Sequence, residues 1–276
     1  MGRNKPEHIA EARRQLGGAL VRGAIGLAIL AGGLFLFHRF ERLLILDGRF
    51  HLKPATEYGE DPPGLRIEGV SRASRKAVVQ AFRTDMDRSV YLIPLDQRRN
   101  ELMKIEWVRE ASIARLWPNE LVVKIEERTP VAFFENQAVS SGKPRISLVD
   151  EDGKILPVPA QMKFRLPVVT GFRAEDPASE RKARVQRMMK LMRELKDFAP
   201  RVSEVNAEDM DNLKAIVQAP HHNGRALILW LGDKNFRQRI EDFDRSYPEI
   251  RRKLPEAGTL DLRLDGRISV VGGKGD

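Results

Sequence analysis

Val108-Arg109-Glu110-Ala111-Ser112-Ile113-Ala114-Arg115-Leu116, then Trp117-Pro118-Asn119-Glu120, then Leu121-Val122-Val123-Lys124-Ile125 is the stretch on which the fold turns. Val108, Ala111, Ile113 and Leu116 mark one half-buried strand. Leu121, Val123 and Ile125 mark a second, at the two-residue period of a pleated sheet. The polar Trp117–Glu120 segment turns the chain between them. Upstream, Leu65-Arg66-Ile67-Glu68-Gly69-Val70 alternates in the same way and predicts another strand. Ser71 or Ser74 can cap the helix that follows, which carries Ala77, Val78, Ala81 and Phe82 on one face. A second helix starts near Leu95-Asp96 and buries Leu102, Met103 and Ile105. The order is strand, helix, helix, strand, strand within about 65 residues, a compact α+β unit with its helices on one face of a small sheet. Pro130 cannot donate to a ladder and marks the boundary.

Beyond Val131 the pattern changes. Val131–Phe134 and Ile146–Val149 predict strands, Asp150-Glu151-Asp152-Gly153 a turn, and Lys154–Val158 a returning strand. Ala178–Phe198 predicts a long helix with Val185, Met188, Met189, Met192 and Leu195 inward. Strands follow at Val202–Val205, Leu213–Gln218 and Arg225–Leu231. A helix over Asn235–Lys253 turns Phe236, Ile240, Phe243 and Ile250 inward. Thr259–Leu264 and Arg267–Val271 form a closing hairpin around Asp265-Gly266. The second domain is therefore mixed, a β domain with flanking helices.

Before both domains lies Leu16–Phe37, LGGALVRGAIGLAILAGGLFLF. Its length matches the roughly 20 residues that a helix needs to cross the hydrocarbon core. Arg22 interrupts it near one end, where a long side chain can snorkel. His38-Arg39-Phe40-Glu41-Arg42 follows, bulky and charged, so the segment reads as an uncleaved anchor rather than a signal peptide. The cationic residues on the two sides favour a cytoplasmic N-terminus by a small margin. The expected organisation is a tail at 1–15, a transmembrane helix at 16–37, an extracytoplasmic stalk at 38–63, the α+β unit at 64–130, the β domain at 131–271 and a tail at 272–276.

The chemistry available is limited. Cysteine is absent, which removes disulfides, thiol nucleophiles and Cys-based zinc sites. The net charge of +9 is spread thinly along the chain, without the basic stripe of a nucleic-acid binder. His221-His222 sits between Pro220 and Asn223-Gly224, where a solvated loop explains it better than a metal. Asp150–Gly153 lacks the downstream Glu of a calcium loop. Glu126 and Glu127 face opposite sides of a strand and cannot share a proton. The basic residues along Ala178–Phe198 predict a solvated outer face rather than a membrane-surface helix. Trp107 and Trp117 are expected to pack in the core or against the turn rather than to bind a ligand. No phosphate loop, nucleophile elbow or zinc signature occurs. No catalytic, cofactor-binding or metal residue is predicted.

Several runs together resemble the FtsQ/DivIB family of bacterial cell-division proteins. They are Ile105-Glu106-Trp107-Val108, Ala111-Ser112-Ile113, Arg115-Leu116-Trp117-Pro118, Leu121–Ile125 and Glu127-Arg128-Thr129-Pro130-Val131-Ala132. Leu148–Gly153, Leu166-Pro167-Val168-Val169-Thr170-Gly171 and Asp261-Leu262-Arg263-Leu264 continue the likeness in order. The resemblance implies that the α+β unit is a POTRA domain. It also implies a single-pass protein of the cell inner membrane, at the division septum, with its bulk periplasmic. Such a protein is a non-enzymatic scaffold that holds FtsB- and FtsL-like partners and controls septal peptidoglycan synthesis. Other divisome proteins would be met through the POTRA domain. The family often carries an aromatic residue where Leu264 stands, and the Gln137–Arg145 loop is long.

The C-terminal hairpin is the expected docking edge. A strand near a chain end tends to sit at a sheet edge with unpaired N–H and C=O groups, on which a partner strand can pair. Arg263, Leu264, Gly266, Ile268 and Val270 are the expected partner-binding residues. The family's basic residue at the position of Arg263 implies a pair with an acidic residue of the partner. Against this stands burial, since half of the apolar side chains on the hairpin must face the core. A second class of function, an envelope assembly or secretion factor that handles substrate strands through a POTRA domain, is the alternative.

Overall fold

The computed structural model describes residues 5–55, 60–136, 145–159, 162–218 and 226–271. His221 and His222 lie outside the described residues, as do 137–144 of the long loop. The chain divides into two units, Met1–Glu126 and Glu127–Asp276.

The first unit opens on α1 (Lys5–Leu46). Its stretch Arg22–Leu46 is 25 residues long and apolar enough to cross a membrane, and the side chains from Arg22 to Phe40 are exposed on all faces. The helix thus fits a single transmembrane span. It does not stop at Phe37. Residues 38–46, expected in a stalk, continue it, because nothing there breaks a helix until Asp47-Gly48. Asp47 then caps a short 3-10 turn over Gly48–Phe50.

The remainder of this unit follows the expected order. The strands are β1 (Leu65–Glu68), β2 (Val108–Leu116) and β3 (Glu120–Glu127), and the helices are α2 (Arg75–Gln80) and α3 (Leu95–Leu102). The sheet order is β1-β3-β2, with β1 parallel to β3. Ser74 rather than Ser71 caps α2, its Oγ accepting from the Ala77 N–H at 3.2 Å. Val78, Phe82, Ile93 and Leu102 fill the space between helices and sheet and are fully buried. Trp107 is buried as expected, whereas Trp117 is half exposed and meets Phe50 edge-on at 6.1 Å. One feature was not legible in the pattern. Arg98, on α3, is buried against Asp85, donating from Nε to Oδ2 at 2.5 Å and from Nη2 to Oδ1 at 3.0 Å. The guanidinium pKa is pushed further up, chiefly by this bond to Asp85. A buried charge tolerates desolvation only when its donors are matched, and here Thr84 and Glu101 take the remaining N–H groups.

Among the described residues the second unit holds one nine-stranded sheet. Its strands are β4 (Pro130–Asn136), β5 (Arg145–Asp150), β6 (Ile155–Leu156), β7 (Val168–Thr170), β8 (Val202–Asn206), β9 (Leu213–Gln218), β10 (Ala226–Gly232), β11 (Thr259–Asp261) and β12 (Ser269–Val270). The order across the sheet is β12-β11-β10-β9-β8-β7-β4-β5-β6. Two helices, α4 (Ala178–Leu195) and α5 (Phe236–Lys253), carry the parallel crossovers β7–α4–β8 and β10–α5–β11. Their apolar stripes, Val185, Met188 and Leu191 on one and Phe236, Ile240 and Phe243 on the other, are buried in one core with the strands. β7 has three residues, yet it joins the two halves by pairing with β4 on one side and β8 on the other. Its periodicity is too short to announce a strand.

Asp150 closes the β5–β6 turn. Its Oδ1 accepts from the Asp152 and Lys154 N–H groups, and its Oδ2 from Arg128 Nη1 at 2.6 Å. The acidic run is therefore a turn whose first carboxylate is already satisfied. The basic face of α4 is only in part the solvated surface expected. Arg181, Arg184 and Arg187 recur every three residues and turn sideways onto loop carbonyls, among them Gly153, Ala207 and Asp233. A guanidinium's five donors suit it to such loop ends, where backbone acceptors lack ladder partners.

Candidate docking edge

The last strand of the sheet order, β12, has a described neighbour on one side alone. Leu260 stands opposite Val270, and Asp261 opposite Ser269. The Val271 N–H donates to the Thr259 carbonyl at 3.0 Å, so residues 269 and 271 aim their backbone groups inward. Alternation along a strand then turns the N–H and C=O of Val270 to the open side.

The five expected residues lie together on this edge, but in a different form from the tight hairpin predicted. β11 ends at Asp261 and β12 begins at Ser269. Between them Leu264–Arg267 make a β-turn, closed by the Arg267 N–H on the Leu264 carbonyl at 3.1 Å, with Gly266 at φ 71°. The ladder fails here because another set of bonds claims the segment. Arg239, on α5 and buried, donates from Nη1 to the Leu231 carbonyl at 2.5 Å and from Nη2 to the Arg263 carbonyl at 2.6 Å. Its Nε reaches Asp265 Oδ1 at 3.3 Å, and Asn235 Nδ2 reaches Asp265 Oδ2 at 3.2 Å. Residues 263–265 are thus held to α5 instead of pairing across the hairpin.

Arg263 is already engaged. It grips Asp261 with Nε at 2.9 and 3.0 Å and Nη2 at 2.6 Å, and its guanidinium lies 4.7 Å from the Trp230 ring centroid. The Arg263 side-chain bond holds the Asp261 carboxyl below the usual aspartate range, against the opposing pull of burial. The same bond pushes Arg263 upward. A partner's carboxylate would have to share or displace Asp261. Leu264 is the one expected residue with a large free apolar side chain, 61% exposed. Ile268 and Val270 are half buried against the core, so the burial reading holds for them and their backbone is what the edge offers. Gly266 would meet nothing if given a Cβ, so it is required by its backbone angle alone.

Sequence reasoning missed Arg239, Asp261, Trp230 and Gly232. A Cβ on Gly232, at φ 70°, would come 2.7 Å from Arg239 Nη1. The available signal was Arg239 itself, a charge three residues from Phe236 on the apolar face of α5. Elsewhere in this unit an open cleft of about 850 Å³ lies beside Thr170, Phe172, Arg173 and Arg184. Arg184 spends Nη1 on three backbone carbonyls there, which makes it a structural staple. Among the described residues no group of His, Asp or Glu is arranged to hold a metal.

The pattern defining the POTRA domain of FtsQ type matches residues 65–128. Over 215 residues, 76% of the chain, it is 28% identical to the cell division protein FtsQ of Koribacter versatilis, of which 59% is covered. The FtsQ of Novosphingobium aromaticivorans is 26% identical over 78% of the chain and 62% of the relative. That of Coxiella burnetii is 27% identical over 61% of the chain and 62% of the relative. The chain thus spans less than two thirds of the length of these relatives. The chain carries a POTRA domain of FtsQ type, with a β domain behind it and an N-terminal apolar helix in front, and is similar over most of its length to cell division proteins FtsQ.

Proposed function

We propose that the protein is a non-enzymatic scaffold of the divisome. It sits in the cell inner membrane at the septum, N-terminus cytoplasmic, and holds FtsB- and FtsL-like single-span proteins on the β12 edge. Through them it controls septal peptidoglycan synthesis, while its POTRA domain meets other division proteins. The observation that carries this reading is the side of β12 on which no described strand pairs, next to the exposed Leu264. Backbone N–H and C=O groups on such an edge supply affinity in β-augmentation, and side chains on the flanking turn supply specificity. Aliphatic Leu264 gives a partner an apolar contact. Arg263 contributes by exchanging its hold on Asp261 for a partner carboxylate.

The test is a photo-crosslinking residue at position 264 or 268 of the full-length protein in its host. Capture of small single-span division proteins is the expected result. Capture of outer-membrane precursors would replace this reading with an assembly or secretion role. No capture, from protein that is folded and septal, would move the docking site away from this edge. Arg263→Glu should weaken capture, and unchanged capture and localisation would remove Arg263 from the proposed contact.

A further inference from the structure

The C-terminus of α1 is not finished by solvent. The last carbonyls of a helix need outside donors. Here the Leu44 carbonyl accepts from the buried Ser89 Oγ at 2.7 Å. The Ile45 carbonyl is 2.9 Å from His51 Nε2, and since a carbonyl can only accept, that nitrogen carries the hydrogen. Leu44 is itself buried. The chain then runs back along residues 87–90, with Leu52 N–H on the Arg88 carbonyl, Asp87 N–H on the Leu52 carbonyl and Val90 N–H on the Phe50 carbonyl. The apolar helix therefore enters the α+β unit without a flexible joint.

Two further segments gather at this foot. Arg115 donates to the carbonyls of Val90 and Ile93 at 2.7 Å each, tying the 89–93 segment to the β2–β3 turn. Pro118 and Asn119 of that turn border one open cleft with Asp47, Gly48, Arg49 and Lys53. Apolar and basic side chains are exposed together here, Arg49 being paired with Asp47 at 2.7 Å. Trp117 is 50% exposed, Leu116 45%, Tyr91 38% and Leu92 36%, with Arg42, Arg49 and Lys53 exposed beside them.

We propose that this foot, with Leu92, Leu116 and Trp117 in contact with it, rests in the lipid headgroup layer of the membrane that α1 crosses. The geometry leaves little choice. If the hydrocarbon ends at Phe37, Leu44 lies seven residues farther, about 10 Å at 1.5 Å per residue. If it ends nearer Arg42, the gap is about 3 Å. Headgroups occupy roughly 5–7 Å on each side of the core. Either boundary brings the underside of the unit within side-chain reach of lipid. Indole and phenol rings favour that layer, and Arg and Lys side chains extend from it to phosphates. An apolar rim set among cations suits an anionic lipid surface and fits no aqueous role as well.

The absence of cysteine makes the test clean. Single nitroxide labels are placed at Leu116→Cys, at Glu110→Cys and at Ile29→Cys in the full chain, reconstituted in nanodiscs of phosphatidylethanolamine and phosphatidylglycerol. Glu110 is exposed on the same strand, about 20 Å from Leu116 at 3.4 Å per residue. The Leu116 label should be about fivefold less accessible to a water-soluble nickel chelate than the Glu110 label, as expected for a side chain at the interface. Equal accessibility at 116 and 110, with the label at 29 in lipid, overturns the proposal and leaves the transmembrane span intact. A label at 29 in water overturns both. Protection at 116 that appears only in native membranes would assign the surface to a protein partner and overturn the lipid reading. Brominated lipids supply a check that leaves the foot unmutated: in the Trp107→Phe, Trp230→Phe double variant the remaining Trp117 emission should be quenched, and the absence of quenching also refutes the proposal.

Discussion

Replacing Arg239 by Met keeps the aliphatic bulk and removes the guanidinium that anchors the docking edge. The buried bond to the Leu231 carbonyl and the part-buried bond to the Arg263 carbonyl, at 2.5 and 2.6 Å, are lost. A hydrogen bond to a charged group contributes about 1.5–3 kcal/mol, and an abandoned buried acceptor adds its own desolvation. The Asp265 contact adds little, because that carboxylate is 52% exposed. The loss should therefore be about 3–5 kcal/mol. For a unit of this size each kcal/mol moves the midpoint by about 2–4 °C, so the β-domain transition should fall by roughly 10 °C. Hydrogen exchange should report the same event locally, with protection lost first over residues 262–268. Asp265→Asn is the matched control, since the neutral amide keeps an acceptor for Arg239, and should shift the midpoint by about 2 °C or less. A melt of Arg239→Met within 2 °C of the parent, with unchanged exchange over 262–268, would refute the claim that this guanidinium holds the edge.

Other perturbations follow from the same contacts. Gly232→Ala places a Cβ against Arg239 at an unfavourable φ and should lose about 1–3 kcal/mol by denaturant midpoint, more than Gly266→Ala, which meets open space. Asp261 has a folded pKa below its unfolded one, so its bond to Arg263 adds stability above the ordinary aspartate value of about 3.9 and loses it as pH falls below that. A carboxyl titration by NMR should put the Asp261 midpoint below 3.9, and a midpoint at or above it would remove the claimed bond. Leu191→Ala, at a fully buried site of α4, should destabilise the β domain by about 2–5 kcal/mol while leaving the first unit's transition in place. Ser89→Ala strips a donor from the Leu44 carbonyl and should destabilise the first unit by about 1–3 kcal/mol, read as earlier exchange at residues 44–52.

The sequence by itself determined the elements whose periodicity runs long enough to be unambiguous. These are the apolar helix, the strand-helix-helix-strand-strand unit around Trp107 and Leu121–Ile125, and the inward stripes of α4 and α5. Each depends on a local rule, the 3.6- or two-residue alternation that separates core from solvent. The ordered runs from Ile105 to Leu264 carried the likeness to FtsQ proteins as well. What the sequence left undecided are features that require partners far along the chain. β7 is a strand because β4 and β8 lie on either side of it, not because three residues of Val168–Thr170 announce one. The hairpin expected at 259–271 opens into a turn because Arg239, 24 residues before Arg263, takes its carbonyl. Arg263 looks free in the sequence and is held by Asp261 and Trp230 in the fold. The stalk expected after Phe37 begins as helix, and its last carbonyls, of Leu44 and Ile45, are met by Ser89 and His51, which the local pattern does not announce. Periodicity reports which side of an element faces the core. Which charge meets which carbonyl is decided only when distant segments are brought within 3 Å of one another.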